Sequence, residues 1–147
     1  MANEQQLDLL QQGVVSTWNM WKQEHPNTAI ELNGVDLSEA NLGEVNLTGA
    51  DLSHANLSRA DLNHANLNKA RLVGADLSGA NLAGADLSNA DLREANMHNA
   101  YLTGANLTGA DLRGAILFGA QLNWAMLEGA LITPEQLSHA KLESDPL

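Results

Sequence analysis

Histidine and carboxylate side chains are the groups in this sequence whose chemistry could support a metal site or catalysis. His54 and His64 carry imidazole nitrogens of the kind that bind zinc. The 18 Asp and Glu residues could act as general acids or bases if a pocket brought them together. The absence of cysteine excludes a thiol nucleophile, thiolate ligands and disulfide bonds. What the remaining groups can do depends on the elements that position them.

A five-residue repeat sets the position of most of these side chains. From Ile30 to Pro134 the sequence divides into 21 consecutive pentapeptides. The third residue is Leu in 19 of them, the first is Ala in 18, the second is Asp or Asn in 14 and the fifth is Gly in ten. A register kept over this length means that the fold itself must repeat every five residues or a small multiple of five.

A period of five residues excludes both a single long helix and a single long strand. Five residues advance an α-helix about 140° beyond a full turn, so the leucines would scatter around its axis. On a continuous strand, an odd period would place successive leucines on opposite faces. Ala and Leu can all face inward only if the chain turns a corner in each repeat, where Gly accepts a positive φ angle. The sequence therefore predicts an all-β coil of stacked parallel turns.

The A(D/N)LXX pattern, undiluted in the run ADLSHANLSRADLNHANLNKA, resembles the repeats of the pentapeptide-repeat protein family. The resemblance implies a right-handed parallel quadrilateral β-helix, a solenoid with four pentapeptides in each coil. We therefore expect about five coils over residues 30–133, in a rod about 25 Å tall at ~4.8 Å per coil. Because Leu occupies nearly every central position, the rod should be regular and straight.

Stacking in this fold separates the groups that could do chemistry. Residues 20 apart share a face and residues 10 apart lie on opposite faces, so His54 and His64 cannot share a metal ion. The carboxylates lie on a convex surface without a pocket to tune their pKa values. We therefore expect no metal site, no cofactor and no enzymatic activity. One face is predicted to stack these second-position side chains: Glu31, Asp51, Arg71, Asp91 and Asp111.

Residues 1–29 precede the repeats, and residues 4–24 have the pattern of an amphipathic helix that ends before His25 and Pro26. A stacked ladder exposes unpaired backbone groups at its end, so this helix is predicted to cap the first coil. A surface that uses the tryptophans to bind a partner or ligand is the alternative. The residues predicted to form the cap are Leu7, Leu10, Val14, Trp18 and Trp21.

Residues 134–147 are predicted to form a second cap and a tail. Thr133 is a good N-cap residue, Pro134 suits the first helical position and Gln136 completes a capping box. We expect a short helix from Pro134 to about Leu142 that closes the other end of the rod.

The last coil departs from the pattern because apolar residues replace polar ones at outward positions. They could pack beneath the C-terminal helix and tail, or they could form a self-association surface, since exposed apolar patches mark interfaces. Some members of the family dimerise through their C-terminal ends, which makes a homodimer the second interpretation. The candidate interface residues are Ile116, Phe118, Trp124, Met126 and Leu131.

The charge balance limits the choice of partner. A net charge of −11 argues against binding to nucleic acid or to an anionic membrane, since both reward Lys and Arg. The N-terminal residues do not form a signal peptide and no segment has the length of a membrane span, so we expect a cytoplasmic protein.

Two functions fit these features. The first is a non-catalytic structural or protein-interaction module, a rigid rod that displays polar, acidic faces to an unidentified protein partner. The second is a DNA mimic, because some members of the family act on DNA gyrase. Residues 30–133 carry 12 carboxylates and five Lys or Arg, a net charge of −7. Duplex DNA of the same length carries about 15 charges, so the rod has only about half of that density.

Overall fold

The computed structural model, which describes residues 2–142, is a stack of coils with helices at both ends. Two helices precede the stack, α1 (Glu4–Gln11) and α2 (Val15–Glu24), and α3 (Pro134–His139) follows it. Between them, each second-position residue from Glu31 to Asp111, and also Gln121, forms a parallel bridge with the residue 20 positions later, and none of the described residues belongs to a longer strand. One coil therefore contains four pentapeptides. Within residues 2–142, no helix is both long and apolar enough to cross a membrane.

The bridges form four ladders, which define faces 1 to 4 of the rod. Backbone hydrogen bonds link the coils: the amide of Leu32, for example, donates to the carbonyl of Asp51 at 2.8 Å. This confirms the prediction that residues 20 apart stack. The second-position residues are Glu31, Asp51, Arg71, Asp91, Asp111 and Leu131 on face 1; Asp36, Asn56, Asp76, Asn96 and Ile116 on face 2; Asn41, Asp61, Asn81, Tyr101, Gln121 and Lys141 on face 3; and Asn46, Asn66, Asp86, Asn106 and Met126 on face 4.

The core consists of the first- and third-position side chains, as the repeat predicts. From Val45 to Leu122 none of these side chains is more than 6% exposed. Each buried Leu contributes about 2 kcal/mol of transfer free energy. Ala at the first position is small enough to let the opposite walls of the coil approach each other, so the core fills without aromatic residues.

Second-position Asp and Asn side chains bond to the backbone two residues later. The Asp36 Oδ1 atom accepts hydrogen bonds from the amide of Ser38 at 3.0 Å and from its hydroxyl at 2.7 Å. Asn106 accepts from the amide of Thr108 in the same way. Asp and Asn suit this position because their short side chains reach that amide, which fixes the turn that follows.

Every fifth residue from Gly34 to Gly129 has a positive φ angle, between +55° and +75°. The ten glycines at this position were expected to adopt it, but ten other residues adopt it too, Glu39, Arg59 and Trp124 among them. The left-handed conformation costs a non-glycine residue about 1–2 kcal/mol. The ladder offsets this cost, because corner amides such as that of Arg59 donate to the next coil.

The single helix predicted over residues 4–24 is wrong, because α1 and α2 are separate helices. Gly13 lies between them with a φ angle of +75°, which interrupts the helical path. Val14 therefore becomes the N-cap of α2 and is 51% exposed, so it does not contribute to the cap as predicted. Leu10 and Trp18 are buried, and Leu7 and Trp21 pack partly buried against the core.

The C-terminal helix has the predicted capping box but ends earlier than predicted. The Thr133 hydroxyl accepts from the Gln136 amide, and the Gln136 side chain accepts from the Thr133 amide. The helix ends at His139, and Ala140 returns to extended backbone. Lys141 then bridges Gln121, so the sequence AKL continues the repeat on face 3. The rest of the predicted tail, residues 143–147, lies outside the described residues.

Candidate functional site

The histidines and carboxylates considered for chemistry are spread along the rod. His54 and His64 occupy corners after faces 1 and 3, and each imidazole lies over a glycine of the next coil, Gly74 or Gly84. Among residues 2–142, no three His, Asp or Glu side chains lie close enough to hold a metal ion.

Ion pairs organise the carboxylates at the lower end of face 1. Arg93 lies 2.7 Å from Asp91 and 3.9 Å from Asp111, and Arg113 lies 2.6 Å from Asp111. Hydrogen bonds from these guanidinium groups hold the pKa values of the Asp91 and Asp111 carboxyls below their usual range. Both carboxyls are therefore ionised at neutral pH and have no proton to donate. The Asp-Leu-Arg spacing of both repeats places the carboxylate and the guanidinium on the same outward face.

At the N-terminal end, side-chain groups of α1 and α2 form hydrogen bonds with the backbone of the first coil on two faces, in place of the bonds that a neighbouring coil would make. On face 1, the buried Gln6 carboxamide donates to the carbonyl of Ala29 and accepts from the amide of Glu31, both at 2.8 Å. On face 4, the Asn19 side chain accepts from the amide of Asn46 at 2.8 Å. The indole of Trp18 donates to the carbonyl of the same residue at 2.7 Å. These groups pair with backbone atoms that would otherwise be exposed at the edge.

At the C-terminal end, α3 lies beside an apolar groove instead of covering it. The groove has a volume of about 420 Å³, and its lining includes Ile116, Phe118 and Gln136. The Phe118 ring stacks on His139 with centroids 4.1 Å apart. The Gln136 carboxamide donates to the carbonyls of Leu112 and Ala115. Ile116 and Phe118 nevertheless remain 48% and 53% exposed.

The structure does not bring the five candidate interface residues together. Ile116 and Phe118 share the groove on face 2, whereas Met126 lies on face 4 and Leu131 on face 1. Trp124 occupies the corner after face 3 and is 81% exposed. The apolar residues therefore form a ring around the last coil, and only the two at α3 belong to one concave surface.

Several solved structures of pentapeptide-repeat proteins are similar to this chain. A structure of a pentapeptide-repeat protein from the Arabidopsis thaliana thylakoid lumen is 34% identical, covers 71% of this chain and 70% of its own, and has a TM-score of 0.64. A pentapeptide-repeat protein from the cyanobacterium Cyanothece 51142 is 38% identical over 67% of this chain and 60% of its own, with a TM-score of 0.46. HetL from Nostoc sp. strain PCC 7120, involved in heterocyst differentiation regulation, is 31% identical over 74% and 60%, with a TM-score of 0.37.

No curated protein sequence matches the chain significantly. The family profile described as pentapeptide repeats matches residues 30–68, 70–109 and 95–133, with eight copies. These segments cover all of residues 30–133 except residue 69, which is more than half of the chain. The protein therefore belongs to the pentapeptide-repeat family, and its four ladders form a right-handed quadrilateral β-helix.

Proposed function

We propose that this protein is a non-catalytic interaction module, a rigid rod of about five coils whose C-terminal end binds another protein. The groove that Ile116 and Phe118 form with α3 is the observation that carries the proposal, because its apolar side chains stay half exposed. The helices α1 and α2 act as a cap at the other end. We propose no cofactor, and a cytoplasmic location that fractionation of the source cells would test.

A second copy of the chain is the partner that fits this groove best. A two-fold axis at the end of the rod would place the same groove of each subunit opposite the other, which makes the contact self-complementary. The partly buried last-coil residues Leu127 and Ile132 would add apolar area to the contact. The acidic faces point sideways, so their mutual repulsion does not oppose an end-to-end arrangement.

Sedimentation velocity tests this proposal with a matched pair of variants. We expect wild type to be a dimer at micromolar concentration and the double variant Ile116→Ser/Phe118→Ser to be a monomer. The dimer should persist in high salt, because apolar contacts are not screened. Val14→Ser is the control, since Val14 is as exposed as Phe118 but belongs to the N-terminal helices. A monomeric wild type, or a double variant that remains dimeric, would contradict the proposal.

The acidic balance favours DNA mimicry as a second candidate function. Charge distribution weakens it, because the carboxylates are spread over all four faces and Asp91 and Asp111 are paired with arginines. A DNA mimic should present a continuous acidic stripe to the basic saddle of its target. Gyrase supercoiling assays with the purified protein test this candidate. A salt-sensitive inhibition that survives Ile116→Ser/Phe118→Ser would favour mimicry over the end-binding module.

A further inference from the structure

The corner that follows face 1 in the first coil contains the only Asn-Gly pair of the chain, Asn33 and Gly34. The backbone turns there between Leu32 and Val35, with Gly34 at a φ angle of +71°. In an Asn-Gly pair, the backbone nitrogen of the glycine can attack the side-chain carbonyl carbon of the asparagine, because no Cβ hinders the approach. Such a pair is therefore where spontaneous deamidation of a protein meets the least steric resistance.

The Asn33 carboxamide is free to take part in this reaction. Among residues 2–142 it makes no hydrogen bond, and the residue is only half-buried. Second-position asparagines differ, since the Oδ1 atom of Asn106 accepts from the amide of Thr108 and is thereby held away from the amide of the next residue. Asn68, which is at the fourth position like Asn33, donates to the Ser88 hydroxyl and carbonyl.

The nitrogen that would attack is held in the ladder. The Gly34 amide donates to the carbonyl of Ser53 at 2.9 Å, which fixes the nitrogen in the backbone of the corner. Attack on the Asn33 side chain therefore requires a local opening in which this hydrogen bond breaks. The rate of the reaction should follow the population of that open state.

The corner is less constrained than its equivalent in the second coil. A Cβ placed on Gly34 would meet no atom within 4 Å, because no coil lies above it. The turn is closed by a hydrogen bond of 3.4 Å from the amide of Val35 to the carbonyl of Leu32. The equivalent bond on the second coil, from Ala55 to Leu52, measures 3.0 Å.

We propose that Asn33 is a modification site, at which the ladder limits deamidation until the first coil opens. The Gly34 nitrogen bonds to the Asn33 Cγ atom, the bond between Cγ and Nδ2 breaks, and ammonia leaves with the proton that the Gly34 nitrogen loses. Water then adds to either carbonyl of the succinimide and opens the ring. One product is an aspartyl residue, and the other is an isoaspartyl residue whose backbone passes through Cβ and Cγ.

The isoaspartyl product should keep the first coil from closing again. Its backbone is longer by one atom, so Gly34 cannot keep its bond to Ser53 while face 1 keeps its register. The variant Asn33→Asp has the new charge without the added atom and should melt at the wild-type temperature. The purified isoaspartyl fraction should melt at a lower temperature than both. An isoaspartyl fraction that melts with the wild type would contradict this effect on the fold.

Peptide mapping by mass spectrometry tests the site on the full chain, incubated at mildly alkaline pH in native buffer and in guanidinium chloride. Asn33 should be modified faster than any other asparagine in both, and at least about tenfold more slowly in native buffer than in guanidinium chloride. Asn63 is the internal control. It has the same position and exposure, and the next amide, that of His64, also donates to the ladder, but His64 carries a Cβ that hinders the attack.

A matched pair of variants tests the gate. Gln6→Ala should raise the native rate at Asn33 about tenfold, because the Gln6 carboxamide pairs with Ala29 and Glu31 above the same face. Gln136→Ala, the same change at the opposite end of the rod, should leave that rate unchanged. In guanidinium chloride all three proteins should react equally. The proposal is overturned if Asn33 stays intact in the native protein, if its native and denatured rates are equal, or if Gln6→Ala does not accelerate the reaction.

Discussion

The two ends of the rod are built from the same repeat but are finished in different ways. In the first coil, Ile30, Leu32 and Val35 are buried, whereas in the last coil Leu127 and Ile132 are only partly buried. The helices α1 and α2 bring buried residues of their own to the first coil, and α3 brings none. The repeat alone therefore does not bury its terminal coils, and their exposure depends on the segments that flank them.

The two ends also differ in how the backbone groups of their terminal coils are hydrogen-bonded. At the N-terminal end, side chains of α1 and α2 pair with the first coil on faces 1 and 4. At the C-terminal end, within residues 2–142, the amides of Leu127, Gly129 and Ile132 have no backbone acceptor in a following coil. Within the described residues, side chains of α1 and α2 therefore close the N-terminal end on two faces, whereas α3 pairs with the carbonyls of Leu112 and Ala115 through Gln136.

The largest test of this contrast is the removal of one tryptophan at each end. Trp18→Ala should lower the free energy of unfolding by about 3–5 kcal/mol, because it removes a fully buried side chain and its hydrogen bond to Asn46. Trp124→Ala should change it by less than about 0.5 kcal/mol, since that side chain is exposed. Urea denaturation measures both values. A loss for Trp18→Ala as small as that for Trp124→Ala would mean that α2 does not stabilise the first coil.

The next effect comes from the carboxamides that end the ladders. Gln6→Ala should cost about 2 kcal/mol, because it leaves the buried backbone groups of Ala29 and Glu31 without partners. Gln136→Ala should cost about 1 kcal/mol, since water can reach the carbonyls that it exposes. The exposed neighbour Gln5 provides a control, and Gln5→Ala should be neutral. If Gln136→Ala proved the more damaging of the two, the C-terminal end would be the better closed one.

These contrasts show what the repeat does and does not predict. The inward Leu, the 20-residue register and the Asp36 turn were predictable, because each follows from contacts within one repeat or between identical neighbours. The break at Gly13 was not, since a glycine in an amphipathic pattern can also be tolerated within a helix. The return of Lys141 to face 3 depends on a ladder formed with residues 20 positions earlier, which the capping signal at Thr133 does not reveal.

The candidate site was predicted less well than the fold for a related reason. The sequence indicated that Ile116, Phe118 and Trp124 were outward-facing apolar residues, and all three are exposed. It treated them as one patch because they are close in sequence. In a coil with four corners, however, a step of five residues moves to another face, so closeness in sequence does not mean a shared surface.

Corner glycines provide a smaller comparison between the two ends. Gly49 and Gly119 have φ angles of +69° and +70°, so alanine should cost each site about 1–2 kcal/mol of strain. A Cβ on Gly49 would meet open space, whereas one on Gly119 would overlap the side-chain oxygen of Asn99. Gly119→Ala should therefore be the more destabilising by a few tenths of a kcal/mol in thermal melts. The added Asn99→Gly substitution should remove that excess, and an excess that persists would mean that Asn99 is not its source.

The smallest expected effect concerns Asp36 and Asp111, which lie near opposite ends of the rod. Their contributions to stability should differ in how they depend on pH and on salt concentration. Hydrogen bonds from the Ser38 hydroxyl and amide lower the pKa of Asp36. The pKa of Asp111 is lowered chiefly by the hydrogen bond from the Arg113 guanidinium. A folded-state pKa below the unfolded value of about 3.9 stabilises the fold above that pH and ceases to do so as the pH falls through the folded value. Both Asp36→Asn and Asp111→Asn should therefore lessen the loss of stability below about pH 4.

At neutral pH, only Asp111→Asn should lower the melting temperature, and high salt should make this decrease smaller. The reason is that an asparagine introduced at position 36 keeps the oxygen that accepts from Ser38, whereas the ion pair with Arg113 is lost. An equal, salt-independent loss for both variants would show that Arg113 does not contribute through its charge.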